Sequence, residues 1–417
     1  MMVDEATWTF IDEHLKDDVR QLALKKSKYN GIDFEFALQQ IQGRQKTRDK
    51  LPTLCAIPRF VFPPSLALEQ CSSEVTAKYK AHILTCRDDA RHVYAEAKQN
   101  PACANVACHV RRSGAMADLT GGFGVDTLFL SALFETCHYV EPQLGLCDIM
   151  AYNCKLLQHD YVQIHQTTME DFIQKMEAVD VIYADPSRRN VQGERVVGLE
   201  DCSPNILQYK DLLLKKSSLL MLKLSPMLDV KRTLAQLPET KEVHVVAVDG
   251  ECKELLFLLD NTKVADVRFL AVNLKKVGCE ELAFMAQEEV TALPVYAKEM
   301  RKYLYEPNAA VLKAGAFKSI AVRYGLEKLH PHTHLYTADI LLDTFPGRCF
   351  KLERVLPVKE ATQLKDEIRK ANVSVRNFPL SADELKKKLK LADGGEVYIF
   401  GTTVGKESKA ILLCKKV

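Results

Sequence analysis

The middle of this sequence predicts a doubly wound α/β domain whose last strand runs backwards. Three observations carry that reading. From residue 115 short apolar runs alternate with helical stretches. A glycine-rich turn follows the first of those runs. Only Asp249–Glu254 separates the last two, too short a stretch for a crossover helix. The strands are expected at Ala115–Leu119, Cys137–Glu141, Val162–Gln166, Val179–Asp185, Ser218–Leu224, Glu242–Val248 and Leu255–Leu259. Helical segments divide the first six, which makes them parallel neighbours. The seventh must run antiparallel to the sixth.

The flanks read differently. Residues 4–50 are helical, with Trp8, Ile11, Leu15, Val19 and Leu22 at three- and four-residue steps. Pro52, Pro58, Pro63 and Pro64 interrupt regular structure, and further helices are expected over 65–85 and 86–100. Beyond the α/β region, VRFLAVNL and ELAFMA read as strands, and YEPNAAVLKAGAF as a segment of turns. From about residue 335 the order is strand, helix, strand, helix, strand, ending on VYIFGTTV. The expected division is a helical N-terminal region (1–84), an α/β domain (85–262), a small ferredoxin-like α+β connecting module (263–330) and a C-terminal α+β domain (331–417).

Composition narrows the class. The chain has 417 residues, long enough for two to four domains, and 47% hydrophobic content fills real cores. No run of about eighteen apolar residues could span a bilayer. The start, MMVDEATWTFIDEHLKDDVR, lacks the basic and apolar stretches of a secretion signal, so a cytoplasmic protein without a membrane partner is expected. Thirteen scattered cysteines with no CxxC pair fit a reducing compartment. Cys103, Cys108 and His109 have no evident fourth ligand. His330, His332 and His334 alternate along an extended segment, a pattern open to a metal but more plainly an exposed linker or strand face; no metal site is expected. Net charge is only +2, but residues 345–417 hold 16 Lys and Arg against 9 Asp and Glu. Taken alone, that surplus is a solvated helix face around Lys386, Lys387, Lys388 and Lys390; it would also suit a phosphate backbone.

The sharpest chemical signal is Asp118-Leu-Thr120-Gly121-Gly122-Phe-Gly124-Val-Asp126, between a predicted strand and a predicted helix. Strand ends of this kind present ligand sites at the carboxyl edge of a sheet. The glycines let the backbone pass close to a ligand. An acid leads the loop, so it would repel a pyrophosphate and attract the cationic amino-acid end of S-adenosylmethionine. Glu141 closes the second strand 23 residues later, where an acid can accept both ribose hydroxyls. Met169 and Glu170, after the third strand, suit the face and edge of an adenine; Thr168 also fits a helix cap there. The fourth strand ends Tyr183-Ala-Asp185-Pro186-Ser187-Arg188-Arg189. Asp185 could accept hydrogen bonds or a proton from a nucleophile, with Ser187 and Arg188 positioning a base or phosphate. Lys223, at the end of the fifth strand, is either a cation in the cleft or the ion partner of an acid such as Asp185.

These motifs resemble the class I S-adenosylmethionine-dependent methyltransferases with a Rossmann-like sheet, and more narrowly the bacterial group with a C-terminal THUMP-like domain. The residues behind the resemblance are DLTGGFGVD, the acid in HYVEPQ, YADPSRR and LKLSPMLD; LEQCSSEVTAKYKAHI, YEPNAAVLKAG and RNFPLSADELKKKLKLADGG add to it. The resemblance covers nearly all of the chain beyond about residue 60. It implies a cofactor on Asp118, Gly121, Gly122, Gly124 and Glu141, a reacting centre at Asp185, Pro186, Ser187 and Arg188, and an RNA substrate; Thr120, in the same loop, is expected to join the cofactor site. Two departures stand out. Ser187 and Arg188 occupy the positions where base-amine methyltransferases carry a second proline and an aromatic. The fifth strand ends Leu224-Ser225-Pro226, without the cysteine that uridine C5 chemistry needs, and neither Cys202 nor Cys252 sits in a matching motif. The expected chemistry is therefore direct SN2 transfer to nitrogen or oxygen by positioning. The alternatives are an RNA-binding protein with a vestigial fold, and a methyltransferase acting on a small molecule or protein. Oligomeric state is not legible.

Overall fold

The computed structural model describes residues 3–88, 114–187, 198–262 and 265–417. Arg188, Arg189, Cys103, Cys108, His109 and most of the helix expected over 86–100 lie outside them. The chain divides into two compact units, Met1–Thr240 with Phe257–Lys263, and Lys241–Leu256 with Val264–Val417.

The first unit contains the strands β1 (Ala115–Asp118), β2 (Thr136–Val140), β3 (Val162–His165), β4 (Val179–Ala184) and β5 (Ser217–Leu224). They pair in parallel in the order β3-β2-β1-β4-β5. Each of these five expected strands falls within two residues of its predicted bounds, while the seventh, expected from Leu255, begins four residues earlier at Glu251. β6 (Thr240–Val248) and β7 (Glu251–Leu259) follow in the chain, and β6 pairs in parallel with β8 (Arg268–Leu274), which pairs antiparallel with β9 (Cys279–Met285). β6 and β7 meet through the two-residue turn Asp249-Gly250, both in the left-handed region, as a tight antiparallel hairpin requires.

The N-terminal helices share a core with the α/β layers. Trp8, Ile11, Phe34 and Ile41 belong to one buried cluster with Phe60, Phe62, Phe123, Tyr139 and Met150. Asn153 clasps the backbone of Val61 at both its N–H and its carbonyl, each at 2.9 Å. The single helix expected over 65–85 is two, Ser65–Gln70 and Glu74–Asp88, because Cys71 turns extended and ends the first.

In the second unit, β10 (Tyr303–Pro307), β11 (Glu327–His330), β12 (Thr333–Ala338), β13 (Gly347–Pro357), β14 (Asn372–Arg376), β15 (Val397–Val404) and β16 (Ser408–Lys416) form a sheet ordered β11-β12-β10-β13-β16-β15-β14. The segment expected to be turns is the end of β10 plus the helix Ala309–Ala314. Asn308 caps that helix, accepting from the Val311 N–H at 3.0 Å. The tail carries two strands more than expected: β12 at its start, and the apolar run in SKAILLCKK, which pairs as β16 between β13 and β15. The three histidines do not share an extended face. His330 ends β11, Pro331 and His332 turn the chain, and His334 stacks on Phe317 at 3.6 Å. Among the described residues no group of His, Cys, Asp and Glu is arranged to hold a metal, and no helix is long and apolar enough to cross a membrane.

Candidate methyltransferase site

The site is built where β1, β2, β4 and β5 end. Asp118 closes β1, and in register with it lie Tyr139 of β2 and Tyr183 of β4. The two tyrosines hold the loop after β1 from either side. Tyr139 donates to the Gly122 carbonyl at 2.5 Å, and Tyr183 donates to Asp126 at 2.6 Å. Such close clamping leaves no room at Gly121, where a Cβ would fall 2.3 Å from the Tyr139 ring. Gly122 is the opposite case: its φ is +54°, and only the Thr120 carbonyl lies within 4 Å of where a Cβ would stand. The backbone there is bare and faces open space. Gly124 closes the turn, donating to the Gly121 carbonyl at 2.8 Å.

The acids are anchored by the loops they serve. Asp118 is 1% exposed. Its carboxylate accepts from the Thr127 hydroxyl at 2.5 Å and the Thr120 N–H at 3.0 Å. Burial pushes its carboxyl up to about 7; the bonds to Thr127 and Thr120 oppose that, and the charges of Asp126 and Asp185 add to it. Glu141, just past β2, is buried and accepts from the Gly122 and Gln143 N–H groups, each at 2.9 Å. The Thr120 hydroxyl accepts from the Asp185 N–H at 2.7 Å, tying the β1 loop to the β4 exit. Met169 is buried and Glu170 half-buried at the start of their helix. Thr168 caps that helix, accepting from Asp171 N–H at 3.2 Å.

Lys223 proves to be an ion partner. It donates to Asp185 and stands 3.9 Å from Asp126. Asp126 in turn pairs with Lys80 at 3.2 Å and accepts from Ser72 at 2.6 Å. Burial alone would push the Asp126 carboxyl up; Lys80, then Lys223, then the two hydroxyls outweigh it and hold it below the usual range. Pro186 is buried, while Ser187 is exposed and pairs with Ser203 through both backbone groups.

The structure thus gathers Asp118, Thr120, Gly121, Gly122, Gly124, Glu141, Asp185 and Lys223 at one sheet edge. Sequence reasoning gave no role to Lys80, Ser72, Asp126, Tyr139 or Tyr183. Lys80 left one signal: it falls on the stripe Ala77, Ala81, Leu84 of its helix, a cation where burial is expected.

Known proteins agree with this architecture. Residues 303–346 match the family described as a ferredoxin-like domain, and residues 347–416 the family described as THUMP domain-like. The crystal structure of a proposed methyltransferase from Porphyromonas gingivalis W83 matches with 32% identity and a TM-score of 0.84, covering 100% of each chain. The chain belongs to the class I methyltransferase family that carries a C-terminal THUMP-like domain. More remote structures include a proposed RNA methyltransferase, PH1948 from Pyrococcus horikoshii, at 14% identity and TM-score 0.30, covering 47% of this chain and 79% of that one. Another is a proposed methyltransferase, SMU.1697c from Streptococcus mutans, in complex with SAH, at 13% identity and TM-score 0.29, covering 36% and 88%. Likenesses of that size carry no weight for this family member's chemistry. No curated protein matches the chain.

Proposed function

We propose that this protein transfers the methyl group of S-adenosylmethionine to a nitrogen or oxygen of RNA, tRNA or rRNA, in the cytoplasm. The observation that carries the reading is the convergence of the bare Gly122 backbone, the buried Glu141, and Lys223-paired Asp185 at one sheet edge. The residues fit the cofactor. Gly122 presents open backbone, and Glu141 stands at a strand end where ribose hydroxyls can donate to it. Asp118, Thr120 and Gly124 shape the loop, and Met169 and Glu170 flank the adenine position. When bound, S-adenosylmethionine supplies an electrophilic methyl on a sulfonium.

The chain's own residues position the nucleophile. Asp185, paired with Lys223, acts as an acceptor that orients a substrate N–H or O–H, with Pro186 fixing the strand exit and Ser187 and Arg188 following it in sequence. Orientation at near-attack distance can supply roughly 7–11 kcal/mol of the barrier. The THUMP domain-like match and the basic tail support RNA as substrate. In this reading residues 85–262 catalyse, 1–84 brace them, and 263–330 with 331–417 present the RNA.

The test is calorimetric titration of S-adenosylmethionine into the wild type and Gly122→Arg, followed by tritiated methyl transfer to mixed RNA. Gly122→Arg points a side chain into the open mouth of the turn, so micromolar binding is expected in the wild type and none in the variant. A wild type without cofactor uptake, but with intact RNA binding, would favour the vestigial-fold alternative.

A further inference from the structure

Lys80 is 0% exposed in its side chain, which is unusual for a lysine and is not explained by stability. Burying an ion pair costs several kcal/mol per ion, and an apolar pair of the same shape commonly serves folding as well or better. The pair also lies on a path that leads out of the core. Side-chain exposure rises from 0% at Lys80 to 10% at Asp126, 13% at Lys223 and 35% at Asp185. Two lysines and two aspartates alternate along that path, so the charges balance in sequence. Its open end is the residue at the reacting edge.

We propose that Lys80 is a positioning residue for methyl transfer: its ammonium neutralises Asp126, which commits Lys223 to Asp185. The proposal rests on the methyltransferase reading above. Asp126 is shared, with Lys80 at 3.2 Å and Lys223 at 3.9 Å. Take away the first cation and the second is drawn inward, towards Asp126 and away from Asp185. The groups facing Asp126 include Cys71 and Ser72 before the Lys80 helix, Lys80 itself, Asp118 on β1, Tyr183 on β4, and Lys223 on β5. Of these, Asp118 responds most directly, since the charge of Asp126 already disfavours its ionised form.

The experiment uses the full chain carrying Lys80→Met, Asp126→Asn, or both. Two quantities are read across pH 6–9: affinity for S-adenosylhomocysteine by calorimetry, and single-turnover methyl transfer from tritiated S-adenosylmethionine to mixed tRNA and rRNA. K80M leaves Asp126 to draw on Lys223. Transfer should fall on the order of 10- to 100-fold, and the acid limb of both profiles should move to higher pH by about half a unit or more. The double variant restores the charge balance and leaves Lys223 on Asp185, so its acid limb should return towards wild type and part of the rate with it. A purely structural lysine would produce no such return. K80M with wild-type rate and profile overturns the proposal, as does a double variant whose limb stays displaced. If K80M does not fold, the double variant alone decides: a wild-type limb supports the network, a displaced one overturns it. A wild type that binds no cofactor and transfers no methyl group would instead sink the methyltransferase reading itself.

Discussion

Each unit of this protein contains a buried carboxylate between two cations, and the two arrangements differ in where they end. In the first unit Asp126 sits between Lys80 and Lys223, both largely out of water, and the chain of charges continues to Asp185. In the second, Glu306 of β10 is 2% exposed and accepts from Arg348 and Arg376. Arg348 lies directly opposite it on β13, with its Nε at 2.8 Å, and Arg376 ends β14, at 2.6 Å. Glu306 falls in the ferredoxin-like match and both arginines in the THUMP-like one, so the carboxylate fastens one to the other. The arginines are 44% and 36% exposed, and their planar forks fit a carboxylate without passing charge further. One cluster is a clamp that closes on itself. The other is a relay that opens at a sheet edge. Burial of the cations, not their number, separates the two.

The largest effect should come from removing each acid. Asp126→Ala removes the carboxylate that pairs the buried Lys80 and should cost about 3–5 kcal/mol in urea unfolding. Glu306→Ala should cost only about 1–2 kcal/mol, because its arginines can return to water. Equal losses would erase the distinction between relay and clamp. Next comes Asp185→Ala, which removes the relay's open end. Methyl transfer should drop by about 100-fold or more, while S-adenosylmethionine affinity by calorimetry changes little; full activity would remove Asp185 from the reacting centre.

A smaller effect concerns Asp118. Its folded carboxyl is raised to about 7, so the folded state holds the proton more tightly than the unfolded chain does. That stabilisation is complete below the ordinary carboxylate range and disappears as pH rises through 7. Asp118→Asn lacks the dependence. Its Tm relative to wild type should therefore climb between pH 4 and pH 8, by a few degrees. A difference that stays flat would mean the loop ionises Asp118 freely. The smallest change tests the surface beyond the clamp. Lys387→Glu with Lys388→Glu should weaken binding of mixed tRNA and lower the salt slope by about one for each phosphate no longer neutralised. An unchanged slope would leave those lysines as a solvated helix face.

Much of this was readable from the chain. Strand and helix alternation, the short link between the sixth and seventh strands, and the glycine loop after β1 are local patterns, since side-chain period and turn chemistry act over a few residues. Asp118, Glu141 and Asp185 were legible for the same reason: each is an acid at a predicted strand end, and the carboxyl edge is where such a fold places its ligands. The helix after Asn308 was not, because a lone capping side chain decided it against the turn residues around it. The partners of Asp126 were not legible either. Ser72 and Lys80 lie 54 and 46 positions before it, and Lys223 lies 97 after it. Those distances are bridged only when the sheet sets β1, β4 and β5 side by side and the Glu74–Asp88 helix is laid against them. The sequence by itself determined which residues could carry charge and which stretches would be strands. Whether a lysine faced water, another acid or the reacting edge was decided by tertiary structure, because ion pairing depends on distance and burial that no local pattern encodes.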